Sequence, residues 1–347
     1  MSRVLLVRPD NNGDVLLAGP AVRAVAAQAE HVALWVGPRG RLAAASLPGV
    51  DEVVVHELPW IDPEPAAVDR AWLTQTVDLA AGLRADQAFV LTSFHQSPLP
   101  TALVLRAAGV RWIGATSEYY PGSLLDLRHR IDDDVHEVER SLDLVAGAGY
   151  RLPPGDDGRL RVGDLDAPNP VPVGDPYVVV HPGASVPARA GSPVRNAAAV
   201  AALEAAGWRV VVTGGPGEAV LTARVAAAGR RALDLGGRTD WGGMTAILRD
   251  AAAVVVGNTG PAHLAAAVGT PVVSLYAPTV PAARWRPWRV PHVLLGDQDV
   301  ACAGCRAGVC PVAGHPCLGR VTADEVVAAV ARLTRLPGRR ALPEVVA

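Results

Sequence analysis

RVLLVRPDNNGDVLLAGPAVRAV, residues 3–25, decides the fold. The run RVLLVR is short and apolar, and it ends in PDNN, a cluster of residues that breaks regular structure. An amphipathic pattern over 15–29 follows at once, so a buried strand passes through a tight turn into a helix. Asp14 stands where the strand exit meets the helix start. A carboxylate there suits the positive end of a helix and is a favoured cap. The same end of a parallel sheet is also where α/β folds bind ligands. On this stretch alone both readings stand.

The pattern repeats outward. RVLLVR (3–8), HVALWVG (31–37), DEVVVHE (51–57), AFVLTS (88–93) and VRWIGA (110–115) read as buried strands. Amphipathic segments lie between them near 15–29, 66–84 and 98–109, and a longer helix is expected over 134–149. Strand and helix in alternation imply βαβ units and a parallel sheet covered on both faces. The stretch 151–176 is rich in Pro, Gly and Asp and reads as a linker. The alternation then restarts with YVVVHPG (177–183), WRVVVTGG (208–215), RALDLGG (231–237), AAVVVGNTG (252–260), PVVSLYAP (271–278) and VPHVLLG (290–296). Helices fit near 194–206, 217–228, 242–250, 260–268 and 322–335. The expectation is an α/β chain of two Rossmann-like domains, 1–165 and 166–337, with a tail over 338–347. No sequence repeat relates the two. Such a pair implies a cleft between the carboxyl ends of two sheets, with a donor on one side and an acceptor on the other.

Composition bounds the chemistry. Half of the 347 residues are hydrophobic but only 4% are aromatic, so Ala and Val fill the core. The net charge of −2 provides no field for nucleic acid or an anionic membrane. The chain contains no Lys, which excludes a Schiff-base lysine and a P-loop. Phosphate must be held by Arg, backbone N–H groups or helix ends. No run approaches the roughly 18 apolar residues of a spanning helix, and no signal peptide pattern opens the chain. A cytoplasmic protein is expected, with peripheral membrane contact open to it.

Three strand exits in the second half share one character: HPGAS (181–185), TGGPGE (213–218) and GNTGPAH (257–263). Each follows an apolar strand, precedes a helix and carries Gly where the backbone turns sharply or approaches something closely. Ser185, Gly214 and Gly215 lie in the first two. In the third, Gly260 and Pro261 suit a helix start, and Thr259 with the free N–H groups there suits an anion. His263 sits one turn in, either as a buried core histidine or on the ligand side. Glu218 is either a first-turn acid favoured by the helix dipole or a partner for ribose hydroxyls. Arg189, after HPGAS, can clamp a pyrophosphate.

Taken together, RVLLVRPDNNGDVLLAGPAVRAV, VVVHPGAS, VVVTGGPGE and VVVGNTGPAHLAAAVGTPVVSLYAPT resemble glycosyltransferase family 9, the ADP-heptose:lipopolysaccharide heptosyltransferase-like proteins, from about residue 3 to 335. The resemblance implies a GT-B fold, an inverting transfer of a heptose-like sugar from a nucleoside diphosphate, ADP in the type members, and no catalytic metal. It makes Asp14 the general base, Arg189 a phosphate contact and Glu218 a ribose contact. Asn258, Thr259, Gly260 and His263 then form the motif that closes over the diphosphate and sugar. At Asn258 the family often has Asp, and a Trp common soon after the basic residue is missing from AGSPVR. The acceptor is a saccharide, a lipid-linked sugar or a natural product. Two other readings compete: a related nucleotide-sugar epimerase or hydrolase, and a non-catalytic nucleotide-binding protein. A dinucleotide-binding dehydrogenase is disfavoured, because the first strand leads into PDNNGDVLLAG rather than GxGxxG.

All four cysteines, Cys302, Cys305, Cys310 and Cys317, lie in ACAGCRAGVCPVAGHPCLG with His315 among them. Their density suggests a structural zinc knuckle, although the second pair lacks the CxxC spacing. Free thiols and a redox-sensitive disulfide are the alternatives. RWRPWRVPH (284–292) reads as a Trp–Arg stack or as a platform for a sugar or base. DLRHRIDDDVHEVER (126–140) reads as a solvated loop and helix start, with acceptor contacts open to it.

Overall fold

The structure, a computed structural model, describes residues 2–62, 64–131, 134–163 and 165–334. The expected tail over 338–347, and Asp132 and Asp133 of the acidic stretch, lie outside the described residues. The chain divides into two compact units, Met1–Asp164 and Leu165–Ala347.

The first unit is built on β1 (Arg3–Val7), β2 (His31–Val36), β3 (Glu52–Val55), β4 (Gln87–Val90), β5 (Trp112–Thr116) and β6 (Leu127–His129). They form one parallel sheet in the order β3-β2-β1-β4-β5-β6. Central strands buried on both faces need continuous apolar runs rather than alternation. Leu5, Leu6 and Val7 are accordingly inaccessible, as are Phe89 and Val90. β6 is the exception. It is a three-residue edge strand, half-buried throughout, inside a stretch read as loop from its charge.

The second unit is built on β7 (Tyr177–His181), β8 (Arg209–Val212), β9 (Leu233–Asp234), β10 (Ala253–Gly257), β11 (Val272–Leu275) and β12 (His292–Leu295). Its parallel sheet runs β12-β11-β10-β7-β8-β9. Counted from each unit's own first strand, the two orders are identical, 3-2-1-4-5-6, the order of the Rossmann fold. The order reverses direction between β1 and β4 in one sheet and between β7 and β10 in the other. Helices Pro193–Ala205 and Ala323–Thr334 pack against each other over the second core, where Val200, Leu203 and Val330 are fully buried.

The Pro- and Gly-rich tract read as a linker is not free over its first half. Arg23, buried in helix Asn12–Ala26, donates from Nε to Asp156 Oδ2 at 2.6 Å and from one terminal nitrogen to Asp156 Oδ1 at 3.0 Å and the Arg159 carbonyl at 2.8 Å. The bidentate hydrogen bond to Arg23 holds the Asp156 carboxyl down to about 2. Further along, Gly163 N–H donates to the Ser46 carbonyl at 2.7 Å. Residues 151–163 thus belong to the first unit.

Candidate functional site

In the first unit the groups that carry chemistry gather where the strand order reverses. Helix Asn12–Ala26 starts with Asn11 at its cap, which makes no side-chain capping bond. Asp14 is the third helical residue, and its carboxylate accepts from Arg8 at 3.3 Å instead of capping the helix. Arg8 follows β1 directly, is 1% exposed, and also donates to Ser93 Oγ at 3.0 Å from the segment leaving β4. Its second terminal nitrogen donates to Glu137 Oε2 at 3.2 Å, and its Nε lies 2.9 Å from Asp10 Oδ2, close but not aligned as a hydrogen bond. Gln96 closes the cluster by donating to Asp10 Oδ1 at 2.5 Å.

Electrostatics follow from this packing. Burial works against the Arg8 charge, but Asp10, Glu137 and Asp14 outweigh it and raise its pKa above the ordinary arginine value. Burial pushes Asp10 up to about 6; Asp14 adds to the rise, and Arg8 and Gln96 oppose it. Burial likewise pushes Glu137 upward, against the pull of Arg8 and Arg140. Sequence reading found Asp14 but missed Arg8 and Glu137. The available signal was a charged residue continuing a buried strand in VRPD.

In the second unit the three Gly-rich exits follow the adjacent strands β8, β7 and β10, all at the same end of the sheet. They are laced to one another. A Cβ on Gly183 would lie 1.8 Å from Glu218 Oε1, so only glycine leaves room for that carboxylate. Glu218 Oε2 accepts the Gly215 N–H at 2.8 Å and lies 3.8 Å from His181 Nε2. His181 Nδ1 lies 3.0 Å from Thr213 Oγ1. Burial lowers the His181 pKa, with Glu218 pulling the other way. Gly257 makes room for the backbone carbonyl of Arg189, 2.5 Å from where a Cβ would stand.

Of the expected ligand-binding residues, Ser185 is exposed, Arg189 donates from Nε to Thr279 Oγ1 at 3.2 Å, and Gly214 and Gly215 form the turn beneath Glu218. Thr259 is the cap of helix Gly260–Ala267 and makes no side-chain capping bond. His263 is buried in that helix. Asn258 differs from the expectation. Its amide donates to the Ala277 carbonyl at 3.0 Å and accepts the Ala277 N–H at 3.1 Å, which ties the exit of β10 to that of β11. Both ends of the amide are thereby engaged by backbone.

The four cysteines are free and line one pocket of about 360 Å³ with His315. His315 Nε2 lies 3.0 Å from the Ala188 carbonyl. Among the described residues no three His, Cys, Asp or Glu side chains are gathered so as to hold a metal ion. The zinc arrangement suggested by cysteine density is therefore not assembled here. In the Trp–Arg stretch, Arg289 lies 5.1 Å from the Trp288 ring, so these two side chains stack on each other.

Two parallel six-stranded Rossmann-type units, with polar groups converging at both reversal points, define the GT-B class of α/β proteins. The pattern of glycosyltransferase family 9 (heptosyltransferase) matches residues 79–314, and the chain belongs to that family. It is 33% identical over 149 residues to lipopolysaccharide heptosyltransferase 3 of Escherichia coli, a stretch covering 42% of this chain and 42% of that protein, less than half its length. The fold is also that of a family 9 glycosyl transferase from Veillonella parvula, with a TM-score of 0.75 at 15% identity over 96% of this chain and 97% of the other. The Escherichia coli heptosyltransferase WaaC, solved with ADP, superposes with a TM-score of 0.71 at 18% identity over 95% and 99% of the two chains. Among the described residues no helix is long and apolar enough to cross a membrane.

Proposed function

We propose that this protein transfers a heptose-like sugar from an ADP-linked donor to a hydroxyl of a saccharide acceptor, with inversion and without a catalytic metal. The observation that carries the reading is Asp14, a carboxylate 26% exposed on the reversal edge of its sheet and held by a buried arginine. In a single displacement the acceptor oxygen forms a bond to the anomeric carbon while the bond to the diphosphate oxygen breaks. Asp14 takes the hydroxyl proton as the nucleophile attacks. The departing diphosphate gains charge, which the N-terminus of helix Gly260–Ala267, the Thr259 hydroxyl and Arg189 receive in place of a metal. Glu218 Oε1 is left for ribose hydroxyls. The family membership, and the ADP in the WaaC structure, support the choice of donor. The lipopolysaccharide in the name of the Escherichia coli relative supports a saccharide acceptor. Residues 1–165 serve the acceptor and 166–337 the donor, in the cytoplasm and in peripheral contact with a membrane that carries the acceptor.

The test has two arms. In a thermal-shift series of ADP, UDP, GDP and ADP-heptose, the adenine compounds stabilise the protein, by about 2.7 kcal/mol at a hundredfold excess over Kd. In a transfer assay with ADP-heptose and a lipopolysaccharide core saccharide, Asp14→Asn cuts turnover by roughly 10²–10⁴-fold and keeps the ADP shift. Turnover near the wild-type rate would reduce Asp14 to an anchor for Arg8.

A further inference from the structure

Arg8 presents each of its three guanidinium nitrogens to a different carboxylate: Nε to Asp10, and the two terminal nitrogens to Glu137 and Asp14. The three acids differ in access. The Asp14 side chain is 26% exposed, Asp10 10% and Glu137 only 2%. A carboxylate as enclosed as Glu137 cannot touch a substrate, and burying it is costly unless it is paired. Glu137 lies 129 residues from Arg8 and starts helix Glu137–Gly147, which packs against the helix bearing Asp14.

A lone guanidinium beside a carboxylate depresses its basicity by one to three pH units, which makes a poor proton acceptor. A second carboxylate on the far side of the guanidinium offsets that pull. We infer that Glu137 is a positioning residue for Asp14: it fixes Arg8 in place and competes for its charge, so that the arginine orients the Asp14 carboxylate without pairing with it alone. The inference rests on the reading of Asp14 as the base. The charged groups around Asp14 are Arg8 and Asp10 on the segment leaving β1, and Glu137 on the helix packed against its own; Arg140 of that helix faces Glu137 and donates to the Thr92 carbonyl at 3.2 Å. On the short turns that also pack there, Arg39 is paired with Asp62 at 2.6 Å and Arg41 is exposed.

The experiment is a carboxyl carbon-13 NMR titration of the full chain labelled at aspartate, with Asp14→Asn assigning the Asp14 signal. In Glu137→Gln, which keeps size and an acceptor oxygen for Arg8, the Asp14 midpoint falls by about one pH unit. In the transfer assay kcat falls about tenfold while the donor KM holds. Glu137→Asp keeps the charge but withdraws it from Arg8, and lowers the midpoint by less. This milder variant carries the test if Glu137→Gln does not fold. A midpoint that stays at the wild-type value in whichever variants fold overturns the inference. Asp14→Asn separates the two readings. If it transfers sugar at the wild-type rate, the base assignment fails. If it is inactive while the Glu137 variants leave the Asp14 midpoint unmoved, only the positioning role fails.

Discussion

The two sheets have the same strand order, but their strand exits differ. In the first unit the reversal point between β1 and β4 is filled with charge, one buried arginine among Asp10, Asp14 and Glu137. In the second, the reversal point between β7 and β10 is lined by glycine, a neutral amide and backbone, with Glu218 folded onto Gly215 and Asn258 onto Ala277. The topology marks where ligand groups converge, whereas the side chains decide what they do there. A dense charge cluster suits moving a proton, and the positive end of a helix suits holding a phosphate.

The contrast is broken most severely at Arg8. Arg8→Met leaves the buried carboxylates without their cation and should cost about 3–5 kcal/mol. The loss, read from urea unfolding, is expected to be smaller near pH 5 than near pH 8, because Asp10 and Glu137 take up protons at the lower pH. The pH dependence of the two units should then run in opposite directions. Asp10 titrates at about 6 in the folded protein against an ordinary 3.8. Its contribution to stability is full below the lower value and is lost as pH rises through the higher one. His181 is depressed below its ordinary 6.5, so its contribution is present above that value and is lost as pH falls through the folded one. Urea midpoints across this range should flatten on the rising side in Asp10→Asn and on the acid side in His181→Gln.

A smaller effect is expected at Gly183. Gly183→Ala drives Glu218 off the Gly215 amide and costs about 1.5–3 kcal/mol, the worth of a charged hydrogen bond. In a Glu218→Ala background the same change should cost much less, a non-additivity that unfolding measurements on the pair would show. Smallest is the order of thiol alkylation. Cys305 is exposed and should react first. Cys317 is buried, and burial with the neighbouring Cys310 and Cys302 raises its pKa, so it should react last. Uniform protection of all four after addition of zinc, seen by peptide mapping, would mean that the loop rearranges around a metal.

The alternation of strand and helix was legible because the strands of the two sheet centres carry short apolar runs, as VLLV in β1 and AVVVG in β10. β6 was not, since a half-buried edge strand of three residues carries too little apolar surface to stand out from its charged neighbours. Asp14 could be singled out because it sits at a strand exit. Arg8 and Glu137 could not be connected, because sequence separation hides a contact that only the packing of two helices creates. Asn258 shows a contact hidden in the same way. An amide in a ligand-binding motif reads as a ligand contact, and its engagement with Ala277 becomes visible only when β11 lies beside β10.

The anchoring of Asp156 and Gly163 bears on where the chain can be cut. Composition would send trypsin to Arg159 and Arg161, whose side chains are 60% and 46% exposed. Their backbone, however, is pinned on either side, by Arg23 to the first helix and by Ser46 to the turn after the short helix Arg41–Ala44. Cleavage there requires local unfolding first, and a truncation ending at residue 150 would strip Arg23 of its counter-ion and leave a guanidinium buried without a partner.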